Sequence, residues 1–273
     1  MDGVIPAIVD GVLRPDGRVD ILLLGGGFSQ GEGLFETLPV VDGRPHFLSR
    51  HARRLARGAE ELDLTPAPEE STWASDIAAL VSAASESQLA VRLFLFRDGE
   101  QVRRAVAAET LASAPLEPAN VGLAVAGLEG ARPLAHLKTL NYLAPRRAWT
   151  LGRGAGFDEV LFVLDDGTVL EGSRSTVFMV KDEVLRTAPL ELPILPGVTR
   201  EVLLEEARGA GIIVSERPFR LSDLKEADEV FLTASLRGVR PVRAVCGAGV
   251  RTVNGPVTGQ LAALYQARVG VPG

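Results

Sequence analysis

Over the first fifty residues apolar positions come in short runs broken by turn dipeptides, and beyond them they recur at helical spacing. Ala7-Ile8-Val9 and Val12-Leu13 flank Asp10-Gly11, and residues 34–41 and 44–48 flank Asp42-Gly43. Asp-Gly between apolar runs predicts a two-residue hairpin, because both central turn positions favour positive φ. Ser49 then reads as an N-cap, and residues 50–62 place Leu55, Ala59 and Leu62 on one helical face. A second helix is predicted over 69–85, where Trp73, Ile77, Leu80 and Val81 recur at helical spacing. Residues 89–96 form a strongly apolar strand candidate.

Periodicity stops in the stretch from Ala112 to Pro118, which contains Pro115. We take it as the boundary between a small N-terminal α+β domain, 1–115, and a larger C-terminal domain, 119–273. The second part predicts a strand over 121–126 and a helix within 144–153. Strands over 159–164 and 169–170 flank Asp166-Gly167, and strands over 176–180 and 184–185 flank Lys181-Asp182-Glu183. A helix over 198–210 ends at Gly211, strands follow over 229–233 and 239–245, and a helix over 260–268 closes the chain. Strand-rich halves with a few helices, without strict strand–helix alternation, predict an α+β protein.

Composition narrows the function classes. The 273 residues are 46% apolar and 23% charged, ordinary for a globular protein with a sizeable core. The net charge of −6 argues against a nucleic-acid partner. No apolar run approaches the ~20 residues that span a bilayer, and the N-terminus lacks the pattern of a signal peptide. The single cysteine, Cys246, reads as a small core residue and fits a reducing, cytoplasmic compartment. His46, His51 and His136 make no metal-type spacing with it, so no metal site is expected.

Candidate chemistry centres on Lys138, in His136-Leu137-Lys138-Thr139-Leu140-Asn141-Tyr142. A lysine that acts through its neutral amine is favoured by burial, and Leu137 and Leu140 are compatible with that. Glu171 stands at the exit of an apolar strand, where a carboxylate could keep a pyridine nitrogen protonated. Gly197-Val198-Thr199 precedes a predicted helix, whose first amides suit a phosphate. Ala234 and Ser235 in a second small-residue loop, and the Arg54 guanidinium, could add further donors. An amine, a carboxylate and phosphate donors together suit pyridoxal 5′-phosphate (PLP).

These motifs resemble those of fold-type IV PLP enzymes, the class IV aminotransferases, in the same order from Gly31-Glu32-Gly33-Leu34-Phe35-Glu36-Thr37 to Arg240-Pro241-Val242. His51-Ala52-Arg53-Arg54-Leu55 is similar to the family's His-x-x-Arg-Leu, which implies that Arg54 binds phosphate. The segments 138–141 and 171–178 resemble Lys-x-Leu-Asn and Glu-Gly-x-x-x-x-Val-Phe, which implies that Lys138 is the Schiff-base lysine and Glu171 the ring-nitrogen partner. Val198, Thr199, Ala234 and Ser235 fall in the two phosphate loops. Tyr142 follows the lysine as does a tyrosine that donates to the cofactor's phenolic oxygen in branched-chain enzymes, although the spacing there is one residue longer. A half-buried strand aromatic is the other reading of Tyr142. The resemblance also implies a homodimer, with an active site at each domain interface.

Lys-x-Leu-Asn is closer to the D-amino-acid aminotransferase and aminodeoxychorismate lyase branches. The expected activity is transamination between an amino acid and a 2-keto acid, with D-amino acids preferred and R-amines tolerated. The alternative is an aminodeoxychorismate lyase that releases pyruvate and 4-aminobenzoate. The carboxylate trap of the D-amino-acid enzymes, Arg-x-His, is not reproduced. That leaves Arg92, Arg97, Arg103 and Arg104 as candidates for the substrate carboxylate.

Overall fold

Asp10 and Gly11 both take positive φ, 51° and 81°, and join β1 (Ala7–Val9) to β2 (Val12–Arg14). The computed structural model describes residues 6–111, 117–124 and 130–269. The chain forms two compact units. The first is Met1–Ser113 with Leu137–Asn141, and the second is Ala114–His136 with Tyr142–Gly273. The expected boundary stretch 112–118 lies largely outside the described residues.

In the first unit a one-turn α1 (Gly26–Ser29) precedes β3 (Gly33–Val41) and β4 (Arg44–Pro45), which meet at Asp42-Gly43, again with positive φ. Helices α2 (Leu48–Glu61) and α3 (Glu70–Ala83) follow, then β5 (Gln88–Asp98) and β6 (Gln101–Thr110). The strands form one antiparallel sheet in the order β2-β1-β6-β5-β3-β4. Leu38, Leu93 and Leu95 from this sheet pack with Leu55 and Ala59 of α2 and Trp73, Ile77 and Leu80 of α3 in one core.

Two local expectations change here. Helix α2 starts one residue before Ser49, because Phe47 turns left-handed (φ 53°) and its carbonyl accepts from the Arg50 and His51 amides at 3.0 and 3.2 Å. Ser49 therefore lies inside the helix. The strand expected over 44–48 is only two residues long, since the chain turns into α2 directly after Pro45 and His46.

The lysine segment, expected in the C-terminal domain, belongs by its contacts to the first unit. Strand β4 pairs only with Val40 and Val41, which leaves the start of β3 open along that edge. Leu137–Asn141 occupies it. Thr139 bridges Leu34, the Phe35 amide donates to the Lys138 carbonyl at 2.9 Å, and the Leu140 amide donates to the Gly33 carbonyl at 2.9 Å.

The second unit carries β7 (Ala119–Leu123), α4 (Leu143–Gly154), β8 (Glu159–Val163), β9 (Val169–Gly172), β10 (Thr176–Lys181) and β11 (Val184–Thr187). Then come α5 (Val198–Gly209), β12 (Ile213–Glu216), α6 (Leu221–Glu226), β13 (Glu229–Ala234), β14 (Gly238–Val245), β15 (Ala248–Gly249) and α7 (Pro256–Val269). The sheet order is β12-β11-β10-β13-β14-β7-β8-β9, with β15 on β14. Parallel pairs β11–β12, β14–β7 and β7–β8 interrupt the antiparallel ladder.

Side chains alternate across this sheet as the pleat requires. Val177, Met179, Val230 and Leu232 enter one buried cluster with Val160, Phe162 and Val242. Phe178 and Phe231, cross-strand partners between them, stack with centroids 5.0 Å apart. Cys246 does not enter the core. It is exposed in the turn after β14, at φ 51°, where the chain reverses into β15. The end of the strand expected over 121–126 lies outside the described residues. Among the described residues no helix is long and apolar enough to cross a membrane.

Candidate active site

The residues singled out by the sequence fall in both units. In the first unit, the lysine segment on β3 places the Lys138 ammonium 4.3 Å from the centroid of the Phe35 ring. One residue along β3, the buried Glu36 carboxylate accepts from Arg54 Nε at 2.7 Å and Arg54 Nη2 at 2.6 Å. His51 Nδ1 lies 2.7 Å from the same carboxylate. Burial opposes the charge on Glu36. The Arg54 guanidinium and His51 outweigh it and lower its pKa from 4.5 to about 2. Burial lowers the His51 pKa against the pull of Glu36, and the charges of Arg54 and Lys138 act in the same direction as burial.

The other four candidate arginines of this unit are engaged by acids. Arg92 pairs with Glu109 at 2.7 Å across β5 and β6. Arg97 pairs with Glu32 at 2.6 Å and also donates to the Asp63 carbonyl. Arg103 is shared between Asp10 and Asp98, 2.9 Å from each. Arg104 pairs with Asp76 at 2.8 Å. The structure thus commits each of these cations to a local partner.

In the second unit several strand ends gather the remaining candidates. Glu171, near the end of β9, is buried. Its Oε1 accepts from Arg132 Nη2 at 2.5 Å and Arg132 Nε at 3.2 Å, and its Oε2 accepts from the Leu195 amide at 3.0 Å. Arg132 also donates to the Ala135 carbonyl. Sequence reasoning passed over Arg132, which stands in a segment with no motif of its own.

Tyr142 precedes α4 and donates its hydroxyl to the Ser173 carbonyl at 2.8 Å. Burial raises its pKa to about 12, so the phenol keeps its proton at any physiological pH. The resemblance to branched-chain enzymes implies that this hydroxyl donates to the cofactor, despite a spacing one residue shorter than theirs; here it donates to the backbone. Ser173 is itself fixed. Its hydroxyl and amide both donate to the buried Glu159 carboxylate, which also accepts from Ser175 Oγ at 3.0 Å.

The first phosphate-loop candidate opens α5. The first intrahelical bond runs from the Glu201 amide to the Gly197 carbonyl, so the Val198 and Thr199 amides lie ahead of the helical ladder. A Cβ on Gly197 would stand 2.9 Å from Thr176 Oγ1, which explains the glycine and ties this loop to the start of β10. Thr199 is buried and hydrogen-bonded to the Tyr265 hydroxyl of α7. The second candidate, Ala234 and Ser235, lies where β13 turns into β14, and β13 pairs β10 through Thr176 and Thr233. Glu171, Tyr142, both loops and the turn between β9 and β10 are therefore linked through one group of strand ends.

A family model for amino-transferase class IV matches residues 33–245. The chain is a class IV aminotransferase. Enzymes of this family use pyridoxal phosphate. This class IV aminotransferase is 32% identical over 232 residues to a bifunctional aminodeoxychorismate lyase / D-amino acid transaminase of Mycobacterium tuberculosis, covering 76% of this chain and 79% of that one. It is 30% identical over 276 residues to chloroplastic branched-chain-amino-acid aminotransferase 3 of Arabidopsis thaliana, covering 91% and 67% of the two. A hypothetical aminotransferase from Mycobacterium tuberculosis, solved with α-ketoglutarate and pyridoxamine phosphate, superposes with a TM-score of 0.84 at 26% identity, over 97% of this chain and 98% of that one. The α+β fold expected from the sequence is that of the family.

Proposed function

We propose that this class IV aminotransferase moves an amino group between an amino acid and a 2-keto acid, with D-amino acids the preferred donors and R-amines a further substrate class. We place it in the cytoplasm as a homodimer. The observation that carries the assignment is Glu171, a buried carboxylate that accepts from Arg132 and the Leu195 amide. A buried carboxylate kept charged is what a protonated pyridine nitrogen needs as its partner.

The donor set fits PLP. Lys138 offers an amine, Glu171 a carboxylate, Val198 and Thr199 the amides that open α5, and Ser235 a hydroxyl. Arg54 offers a guanidinium, which Glu36 holds in place.

When bound, PLP supplies an electron sink for the α-carbon of the amino donor. Lys138 would supply the amine that holds the cofactor's aldehyde and, when free, would serve as the base that moves the donor's proton. Glu171 would be the partner that keeps a proton on the ring nitrogen. The amides of Val198, Thr199, Ala234 and Ser235 and the Arg54 guanidinium would be the donors to the cofactor's phosphate. Tyr142 stays protonated and braces the Ser173 backbone beside Glu171.

The preference for D-amino acids is supported by Lys-x-Leu-Asn at 138–141 and by the relative named as a D-amino acid transaminase. That relative is also named a lyase, which keeps pyruvate release from aminodeoxychorismate as the second reading. The test is the visible spectrum of PLP-loaded protein. D-Alanine should bleach the cofactor band and pyruvate restore it, with L-alanine slower. A band that neither isomer changes, or full turnover by Lys138→Ala, would overturn the transaminase. Pyruvate formed from aminodeoxychorismate without an acceptor would decide for the lyase.

A further inference from the structure

Tyr265 stands on α7, beyond the residues that match the family model, and no motif of the sequence points to it. The buried residues of α7 are Thr258, Leu261 and Tyr265, which recur at helical spacing along one face. The start of that face is pinned by Glu229, the first residue of β13. Its carboxylate accepts from the Val257 amide at 3.1 Å and from the Thr258 amide and hydroxyl at 2.8 and 2.6 Å. Further along α7, the Tyr265 ring lies against Gly238, the first residue of β14. A Cβ at Gly238 would stand 3.1 Å from Tyr265 Cε1, and Gly238 takes φ +56°, so both the ring and the backbone call for glycine.

The ring so held carries its hydroxyl to the opening of α5, where it is hydrogen-bonded to Thr199. Both residues are sealed from solvent, Tyr265 3% and Thr199 2% exposed. A buried phenol demands a partner, and a backbone carbonyl would serve. Here the partner is the hydroxyl of a residue whose amide lies ahead of the helical ladder, among the donors suited to phosphate. The direction of the bond between the two hydroxyls decides what Thr199 can do. When Tyr265 donates, the Thr199 hydrogen is left for another acceptor. Phosphate oxygens accept and do not donate, so this is the order that a phosphate beside Thr199 selects. Burial raises the Tyr265 pKa against the smaller effect of Thr199, so the phenol keeps the proton that this order needs.

We propose that Tyr265 is a positioning residue for the cofactor phosphate: it donates to Thr199 Oγ1 and so turns the Thr199 hydroxyl hydrogen toward a phosphate oxygen. The inference rests on the cofactor reading above, with the phosphate at the opening of α5, and adds to it a residue that acts only through Thr199.

The test is a titration of the cofactor-free full chain with PLP and with pyridoxal, which lacks the phosphate, followed by the absorbance of the bound ring. Tyr265→Phe keeps the ring against Gly238 and removes the donor. It should weaken PLP binding about tenfold, the effect of one hydrogen bond, and change pyridoxal binding by less than about twofold. Thr199→Val should weaken PLP in the same selective way. Adding Tyr265→Phe to Thr199→Val should cost less than about twofold more, because the tyrosine acts through that hydroxyl. Equal weakening of PLP and pyridoxal by Tyr265→Phe marks a purely structural tyrosine and overturns the proposal. Unchanged PLP binding, or losses that multiply in the double variant, overturn it as well. A parent protein that binds neither PLP nor pyridoxal overturns the cofactor reading and the proposal with it, whereas selective PLP binding that neither variant alters overturns the proposal alone.

Discussion

Glu36 is 1% exposed and charged, a state that survives only because Arg54 and His51 face it. Its pKa is about 2 in the fold and near 4.5 in the unfolded chain. A carboxylate with a lowered pKa contributes stability above the unfolded value, and that contribution is lost as the pH falls through the folded value. The window for Glu36 is therefore between about pH 4.5 and pH 2. Glu36→Gln should lower the unfolding free energy at pH 7 by roughly 3 kcal/mol and flatten the decline across that window. Urea melts of both proteins at pH 7 and pH 3 check this, and parallel acid declines would contradict it. Glu36 stood inside a recognised motif, Gly31 to Thr37, yet nothing in one sequence shows that it would face Arg54 eighteen residues later. The same limit applied to Arg103 and Arg104, whose acidic partners include Asp10 and Asp76. Ion pairs formed across such separations follow from sheet order, which local periodicity does not encode.

The lysine segment and β3 meet at a site where side chains have no room. Gly31 sits at φ +70°, and a Cβ there would fall 2.3 Å from Asn141 Oδ1. Gly31→Ala combines a left-handed backbone with a clash against the last residue of the lysine segment. It should destabilise the protein by roughly 2 kcal/mol, a fall in Tm of about 4–8 °C. Phe35 and Leu140 amides should also exchange with solvent faster, since their bonds to Lys138 and Gly33 depend on this register. Calorimetry and hydrogen exchange on the same samples measure both effects, and a wild-type Tm would sink the account. Elements of this kind were readable where chemistry is local. The Asp-Gly turns at 10–11 and 42–43 gave both N-terminal hairpins, where the two residues take positive φ in succession. Helix α2 was displaced because its start is set by a left-handed Phe47, a residue with no capping signature. Strand β12 and the six-residue α6 were missed because so few residues carry no periodicity.

At the scale of the molecule, the motif order along the chain revealed the family, but not the unit to which the lysine belongs. A linear boundary near residue 115 assigns everything after it to one domain, whereas the chain returns at Leu137 to complete the first sheet and leaves again after Asn141. That return has a consequence during synthesis. The start of β3 has left the ribosome about a hundred residues before Lys138 does, an interval on the order of 5–20 s at cellular translation rates. Throughout it the nascent chain carries an unpaired strand edge, the feature that templates pairing with other chains. Nascent chains arrested before Lys138 emerges should be cut by protease within β3, and those arrested after Asn141 is clear should resist. The lysine segment is thus among the last pieces that the first sheet waits for.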